Sequence, residues 1–531
     1  MISRSMLCTS VALAALCAPA YADDAAIEKR LDAMEKKIEQ QQSQIEQQTS
    51  EIRTLKSALH KKGVRVETAD TAQTPAPSLQ AKVDQQQDQI ESISQNFESF
   101  QNQARIEKSD TPSLSFPNGR PTIASRDGRF SLAVRALGQF DAAYYMQSHA
   151  ALLLPAANGP DLSSGTNFRR AQLGIQGKLF GDWSYFFNTE FGGSTGTETG
   201  GRVQSLYIQY DGLTPLAFRI GAYPPASGLE DNTSSADTIF LERAAPSDIV
   251  RNAVGGDGRD AASILYATDT LYGSLSYTGG KVGDAGVVDE QQSVLARLAA
   301  SVYSDPDSRF VLSATGADMF RGPDSAAGPS SARALTLSVA PELTVDSQGT
   351  KLITTGALDV NRAKFWGVEG GGNWRNFYGQ AGYFAYDIDQ RVAPHTMAKP
   401  DVNFSGWYAQ ATWVITGESR GYSTTNAAFT APKPSIPFSL SGGGWGAWEL
   451  AGRYSDTDLN DLVGVAGHSA PNGGVRGGEQ KIWSAGINWY PNAVLRFALD
   501  YQWIDIDRLG SSGAEVGQKL QAMSLRSQIS L

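Results

Sequence analysis

The chain has 531 residues, a net charge of −10 from 45 basic and 55 acidic residues, and only two cysteines, Cys8 and Cys17. Residues 126–531 alone carry 31 basic and 39 acidic side chains, a balance of −8 that argues against nucleic acid as a partner. With no cysteine beyond residue 17, the rest of the chain can form neither a disulfide framework nor a thiolate metal site.

Residues 1–22 read as a secretory signal. Arg4 supplies the positive start, a short apolar run follows around Val11–Leu16, and Ala20-Tyr21-Ala22 fits a small-x-small cleavage site. The mature chain is expected to begin at Asp23. Residues 23–62 then carry a heptad pattern. Leu31, Ile38, Ile45, Ile52 and Leu59 take the a positions, and Ile27, Met34, Gln41, Gln48 and Leu55 take d. A period of 3.5 residues predicts a coiled coil, and isoleucine-rich a positions without charge are compatible with three strands. Residues 63–78 are a Pro/Thr/Ala linker. Residues 79–108 repeat the apolar spacing in a second helix through Leu79, Val83, Ile90, Ile93, Phe97 and Phe100, and the proline-bearing stretch 109–125 is a second linker.

From Phe130 the period changes to two. Phe130, Leu132 and Val134 alternate with Ser131 and Arg135; near the end Phe497, Leu499, Tyr501 and Trp503 alternate with Arg496, Asp500 and Gln502. One oily, aromatic face and one charged face suit strands between lipid and a watery lumen. Short turns such as Gly181-Asp182 and Pro491-Asn492 alternate with long Gly/Asp/Ser-rich loops such as 224–257, which is the arrangement of an outer-membrane barrel. Trp183, Trp374, Trp413, Trp489 and Tyr490 fall at strand ends, as an interfacial girdle requires. The pattern yields eighteen antiparallel strands over 126–531. The weakest pair is 333–360, rich in threonine and interrupted by Pro341. Residues 416–445 are anomalous, because they fall on the short-turn side yet are long and rich in proline and glycine.

Rival readings are poorly supported. A hydrolase needs a positioned nucleophile and base, and none of the four histidines accompanies a nucleophile motif. No phosphate-cradling Gly-Lys-Ser/Thr run is present, so neither an enzyme nor a cofactor is expected. An adhesive protein with a barrel anchor would use fewer strands per chain.

Several blocks resemble the phosphate-selective porin O/P family. They include Phe168-Arg169-Arg170-Ala171-Gln172-Leu173, Gly181-Asp182-Trp183-Ser184-Tyr185, Gly228-Leu229-Glu230, Leu241-Glu242-Arg243, Gly446-Ala447-Trp448-Glu449-Leu450 and Asn488-Trp489-Tyr490-Pro491-Asn492. The resemblance implies a trimer of outer-membrane barrels with about sixteen strands each, so 333–360 becomes an extracellular hairpin and the coiled coil lies in the periplasm. It further implies a lumen narrowed by an infolded loop, where arginines pass small anions to central lysines. Arg170 and Arg243 match that scheme, and Arg333 matches a further position. Parity alone turns Lys178, Arg219, Arg297, Arg453 and Arg496 inward; for each inward arginine a lumen ion pair is the competing role. Where the family implies lysines, this chain has Ser184 and Asp231. With inward Asp141, Glu190, Glu449 and Asp500, those departures predict a modest anion preference without tight phosphate affinity, and a general porin is the alternative.

Overall fold

The computed structural model describes residues 112–147, 160–193, 201–283, 288–328, 331–391 and 399–531, with scattered positions between 36 and 99. The chain divides into Met1–Thr111 and Pro112–Leu531. In the first unit the described positions, such as Lys36, Glu51, Arg53 and the stretch 94–99, are helical. The signal, the linker 63–78, residues 109–111 of the second linker and the a and d residues from Ile27 to Leu59 lie outside the described residues, whereas 112–125 of the second linker are described and pair Ser113–Ser115 with Thr122–Ala124.

In the second unit, sixteen long antiparallel strands close into a barrel. They are β1 (Ser131–Met146), β2 (Gly165–Leu179), β3 (Trp183–Glu190), β4 (Arg202–Leu213), β5 (Leu216–Ala222), β6 (Arg259–Ala267), β7 (Leu271–Lys281) and β8 (Gln292–Ser304). The second half comprises β9 (Ser308–Arg321), β10 (Leu358–Trp374), β11 (Phe377–Gln390), β12 (Val402–Val414), β13 (Ala447–Asp461), β14 (Val475–Tyr490), β15 (Leu495–Asp507) and β16 (Gln518–Ser530). Closure comes from β16 pairing with β1, Gln521 opposite Met146 through Ser530 opposite Leu137. Without an edge, no strand carries a row of unpaired backbone groups, which is the condition for spanning a bilayer with strands.

Alternation sets the two faces. Leu173, Leu298, Leu312, Trp366, Trp483 and Leu525 are exposed on the outside. Inside lie buried polar groups including Gln139, Asn188, Arg297, Glu369, Asn488 and Arg526. Most girdle tryptophans behave as expected at the short-turn end: Trp374, Phe377 and Trp413 stack at 6.2 and 5.9 Å, and Trp448, Trp489 and Phe497 at 5.4 and 5.5 Å. Tyr490 departs from the expectation. It faces inward and donates to Glu449 Oε2 at 3.0 Å.

The eighteen-strand count fails at 333–360, where only two-residue pairings form, Ala334–Leu335 with β10 and Ser338–Val339 with Ile353–Thr354. Leu335, Leu337, Val339, Leu343, Val345 and Ile353 are all buried together, so this loop turns inward over the lumen instead of extending the wall. Residues 415–446 join β12 to β13 at the short-turn end and also turn inward, around a small hairpin (Arg420–Ser423 with Ala428–Pro432). Their tip places Ala427 and Phe429 in a cluster with Leu229 and Phe240 of the β5–β6 loop.

Candidate functional site

The β5–β6 loop, 223–258, crosses the lumen and carries helix α1 (Ala245–Val254). Pro246 sits in the first turn, and the helix start is held by carboxylates. Glu230 accepts from Ala244 N–H at 3.1 Å and Glu342 from Ala245 N–H at 2.8 Å, satisfying donors that a helix N-terminus leaves free. Two wall glycines admit the loop. A Cβ on Gly406 would meet Pro246 at 2.9 Å, and one on Gly486 would meet the Phe240 ring at 3.1 Å.

Arginines of the far wall then fix the loop by its carbonyls. Arg453 Nη1 donates to Glu242 O at 3.0 Å, Arg496 Nη2 to Ile239 O at 2.7 Å and Arg526 Nη1 to Leu241 O at 2.7 Å. Arg420, from the β12–β13 segment, reaches Asp237 O at 2.9 Å while forking onto Glu449 at 2.7 and 2.9 Å. Arg297 holds that segment in turn, donating to Asn426 O at 3.0 Å and Ala427 O at 2.7 Å. Planar forks bridge several carbonyls without needing a full counter-charge, which lysine could not do as well.

The expected pore residues therefore divide. Arg297, Arg453 and Arg496 point inward, as parity requires, but are consumed in holding inserted segments; Arg453 also pairs with Glu342 and lies 3.7 Å from Glu230. Arg170 is buried, donates to Gln139 Oε1 at 2.7 Å and sits 3.9 Å from Glu242. Lys178 is exposed near the short-turn end. Arg333 stands on the β9–β10 loop, 3.7 Å from Asp324. Arg219, Arg243 and Asp231 line one cavity of about 410 Å³ between the loop and the β1–β7 wall. Ser184 is not on that cavity; it donates to Asp211.

Asp231 is not a bare carboxylate. It accepts from Ser227 Oγ at 2.6 Å, pairs with Arg251 at 2.7 Å and lies 3.6 Å from Arg243 Nε. Burial would raise its pKa, but the two guanidiniums outweigh that and hold it below the usual range. Glu242 behaves likewise: burial is outweighed by Arg169, Arg170 and Arg526, and its carboxyl is held well below the usual range. Glu230 goes the other way. Burial dominates over Arg453 and the Ala244 N–H, pushing it up to about 7.

That shift has a definite sign. A carboxyl whose pKa is raised from 4.5 to about 7 by folding favours the docked loop fully below about 4.5, and the contribution is lost as pH rises through about 7. The loop also gains a negative charge over that interval. The preference of the pore for chloride over potassium is expected to fall between about pH 6 and about pH 8. Glu230→Gln should flatten the zero-current potential against pH; an unchanged slope in that variant would assign the titration elsewhere.

Several site residues escaped the sequence reading. Arg169 turns inward because β2 carries a bulge there: Gln139 faces Arg170 and Phe140 faces Phe168, so Arg169 is the extra residue. It forks onto Glu242 at 2.5 and 2.9 Å. Arg251 and Asp257, 2.5 Å apart, lie in a loop where alternation carries no information. Arg135, on the charged face by alternation, lines the cavity beside Arg219.

Residues 151–530 match the family model described as phosphate-selective porin O and P. The chain belongs to that family. Porin O of Pseudomonas aeruginosa is 26% identical over 367 residues, which are 66% of this chain and 78% of that protein. An uncharacterized protein of Caulobacter vibrioides is 34% identical over 161 residues, 30% of this chain and 28% of its own length. Among solved structures, OmpT, an outer membrane protein of Vibrio cholerae, aligns with a TM-score of 0.44 at 10% identity, covering 76% of this chain and 98% of that one. The barrel is thus an outer-membrane porin of the O/P type, with its lumen narrowed from three directions.

Proposed function

We propose that this porin is a diffusion channel for small anions with a modest preference and no tight phosphate affinity, acting as a channel and not as an enzyme. The observation that carries the reading is the charge around the cavity. Arg135, Arg219, Arg243 and Arg251 face it, and Asp231 and Asp257 are the acidic side chains among its described lining residues. Local positive charge in a narrow, low-dielectric passage outweighs the acidic total of the chain, whose loop charges are screened beyond about 8 Å at physiological salt. On this reading the short turns face the periplasm, where residues 23–62 and 79–108 form coiled-coil helices joined by 63–78, and three chains associate in the outer-membrane lipid.

Planar-bilayer recording of the purified full chain tests both parts. In a potassium chloride gradient the zero-current potential should have the sign of weak anion preference, and channels should close in three equal steps. Inorganic phosphate should reduce the chloride current only in the millimolar range. Cation preference, micromolar phosphate block or single-step closure would each overturn the corresponding part.

A further inference from the structure

Among the described residues most lumen arginines are tied to carboxylates or loop carbonyls, whereas Arg135 and Arg219 share a different setting. Arg135 donates Nη1 to Gln176 Oε1 at 3.1 Å, and Arg219 donates Nε to Gln209 Oε1 at 2.7 Å. Among the described residues, neither guanidinium has a carboxylate within ion-pair distance, unlike Arg170, Arg243, Arg251, Arg420, Arg453 and Arg526. Gln209 is itself oriented, because its amide donates to Asp211 Oδ1 at 2.5 Å and so turns its oxygen to Arg219.

Both free guanidiniums lie on aromatic rings. Arg135 is 5.1 Å from the Phe186 centroid, and Arg219 is 4.3 Å from that of Tyr207 and 5.2 Å from that of Tyr223. Phe186 and Tyr207 stack on each other at 5.4 Å with 20° between their planes. The result is a continuous strip, Arg135–Phe186–Tyr207–Arg219, across the inner wall of β1, β3, β4 and β5, facing the cavity. Phe186 and Tyr207 are only half-buried. An apolar ring on the lumen face runs against the polar-inside rule of a water-filled barrel. A hydrated inorganic ion gains nothing from that surface, whereas an anion with an apolar body covers it and loses water from both partners.

We propose that this strip is a binding site for organic carboxylates with a ring-sized apolar body, a guanidinium edge at either end taking the carboxylate and the adjoining ring surface the body. The proposal rests on the anion-channel reading and names its substrate class. Guanidinium suits the role because it stays charged, bonds a carboxylate through two parallel donors, and stacks on rings without losing those donors. The cavity, at about 410 Å³, has room for such a molecule.

The test uses the full chain in planar bilayers, with benzoate, acetate and inorganic phosphate as probes of the chloride current. Benzoate should half-block at a concentration about tenfold or more below acetate, and below phosphate. Phe186→Ser should bring benzoate towards acetate; Tyr207→Leu provides the same comparison if that variant does not assemble. Arg219→Gln should weaken benzoate block and chloride preference together. Equal block by benzoate and acetate in the unmodified channel, with anion preference intact, overturns the organic-anion site alone. Absence of anion preference in potassium chloride overturns the underlying channel reading as well.

Discussion

Replacing Asp231 by asparagine is expected to raise the chloride-over-potassium permeability ratio about tenfold or more. The carboxylate sits between Arg251 and Arg243 on the cavity wall and cancels most of what they would offer a passing anion. Asparagine keeps its shape and can still accept from Ser227. Arg251 retains Asp257 at 2.5 Å, and Arg243 retains the carbonyls of Asp231 and Thr233 at 3.1 and 2.7 Å, so both should hold position. One uncancelled charge about 4 Å from the path is worth at most roughly 4 kcal/mol at an effective dielectric of 20, and lumen water reduces that. A tenfold change requires only about 1.4 kcal/mol. The zero-current potential in a salt gradient reads the result directly, and an unchanged value would place selectivity outside this cavity.

The second large effect is expected at Arg526. Its side chain is fully buried, forks onto Asp141 at 2.7 and 2.6 Å, donates to Leu241 O at 2.7 Å and lies 3.4 Å from Glu242. Arg526→Met leaves Asp141 buried without its partner, a change that typically costs about 3–5 kcal/mol. It also frees the middle of the lumen loop. The variant should lose its folded electrophoretic form in detergent at a lower temperature, and its single-channel conductance should be larger and noisier. Adding Asp141→Leu should restore much of the thermal resistance, since no orphaned charge remains, but not the quiet conductance, since the loop carbonyl still lacks its donor. Recovery of both would mean that Arg526 does not hold the loop.

The wall of this protein was legible because alternation is a local signal. Phe497, Leu499, Tyr501 and Trp503 can face outward only together, and one residue of slip would turn all four inward. The lumen was less legible. Parity places Arg453 and Arg496 inside but cannot say that Ile239 and Glu242 carbonyls, more than 200 positions away, will meet them. It fails outright at Arg169, where the bulge adds a residue and reverses the face. Family resemblance supplied the correct strand count where the residues of 333–360 gave two strands too many. For 416–445 composition flagged an anomaly, yet only the fold explains it, through a segment that enters the barrel and meets Arg297. The sequence shows Asp231 as a carboxylate opposing anions but not its two guanidinium neighbours, 12 and 20 residues further on, which come from loop positions without periodicity.

The Arg526–Asp141 pair joins residues 385 positions apart, across the seam between the first and last strands. Gln139 and Gln528 meet across the same seam at 2.7 Å and donate to Ser235 O and Ala236 O at 2.9 and 3.0 Å. Two of these grips on the loop, those of Arg526 and Gln528, come from β16, and the third, that of Gln139, comes from β1. Before β16 is in place, Leu241 and Ala236 of the loop lack these donors, and only the grips from the other strands, such as Arg453 on Glu242 O and Arg496 on Ile239 O, are available. The pairing of β16 with β1 therefore completes the wall and the anchoring of the constriction together.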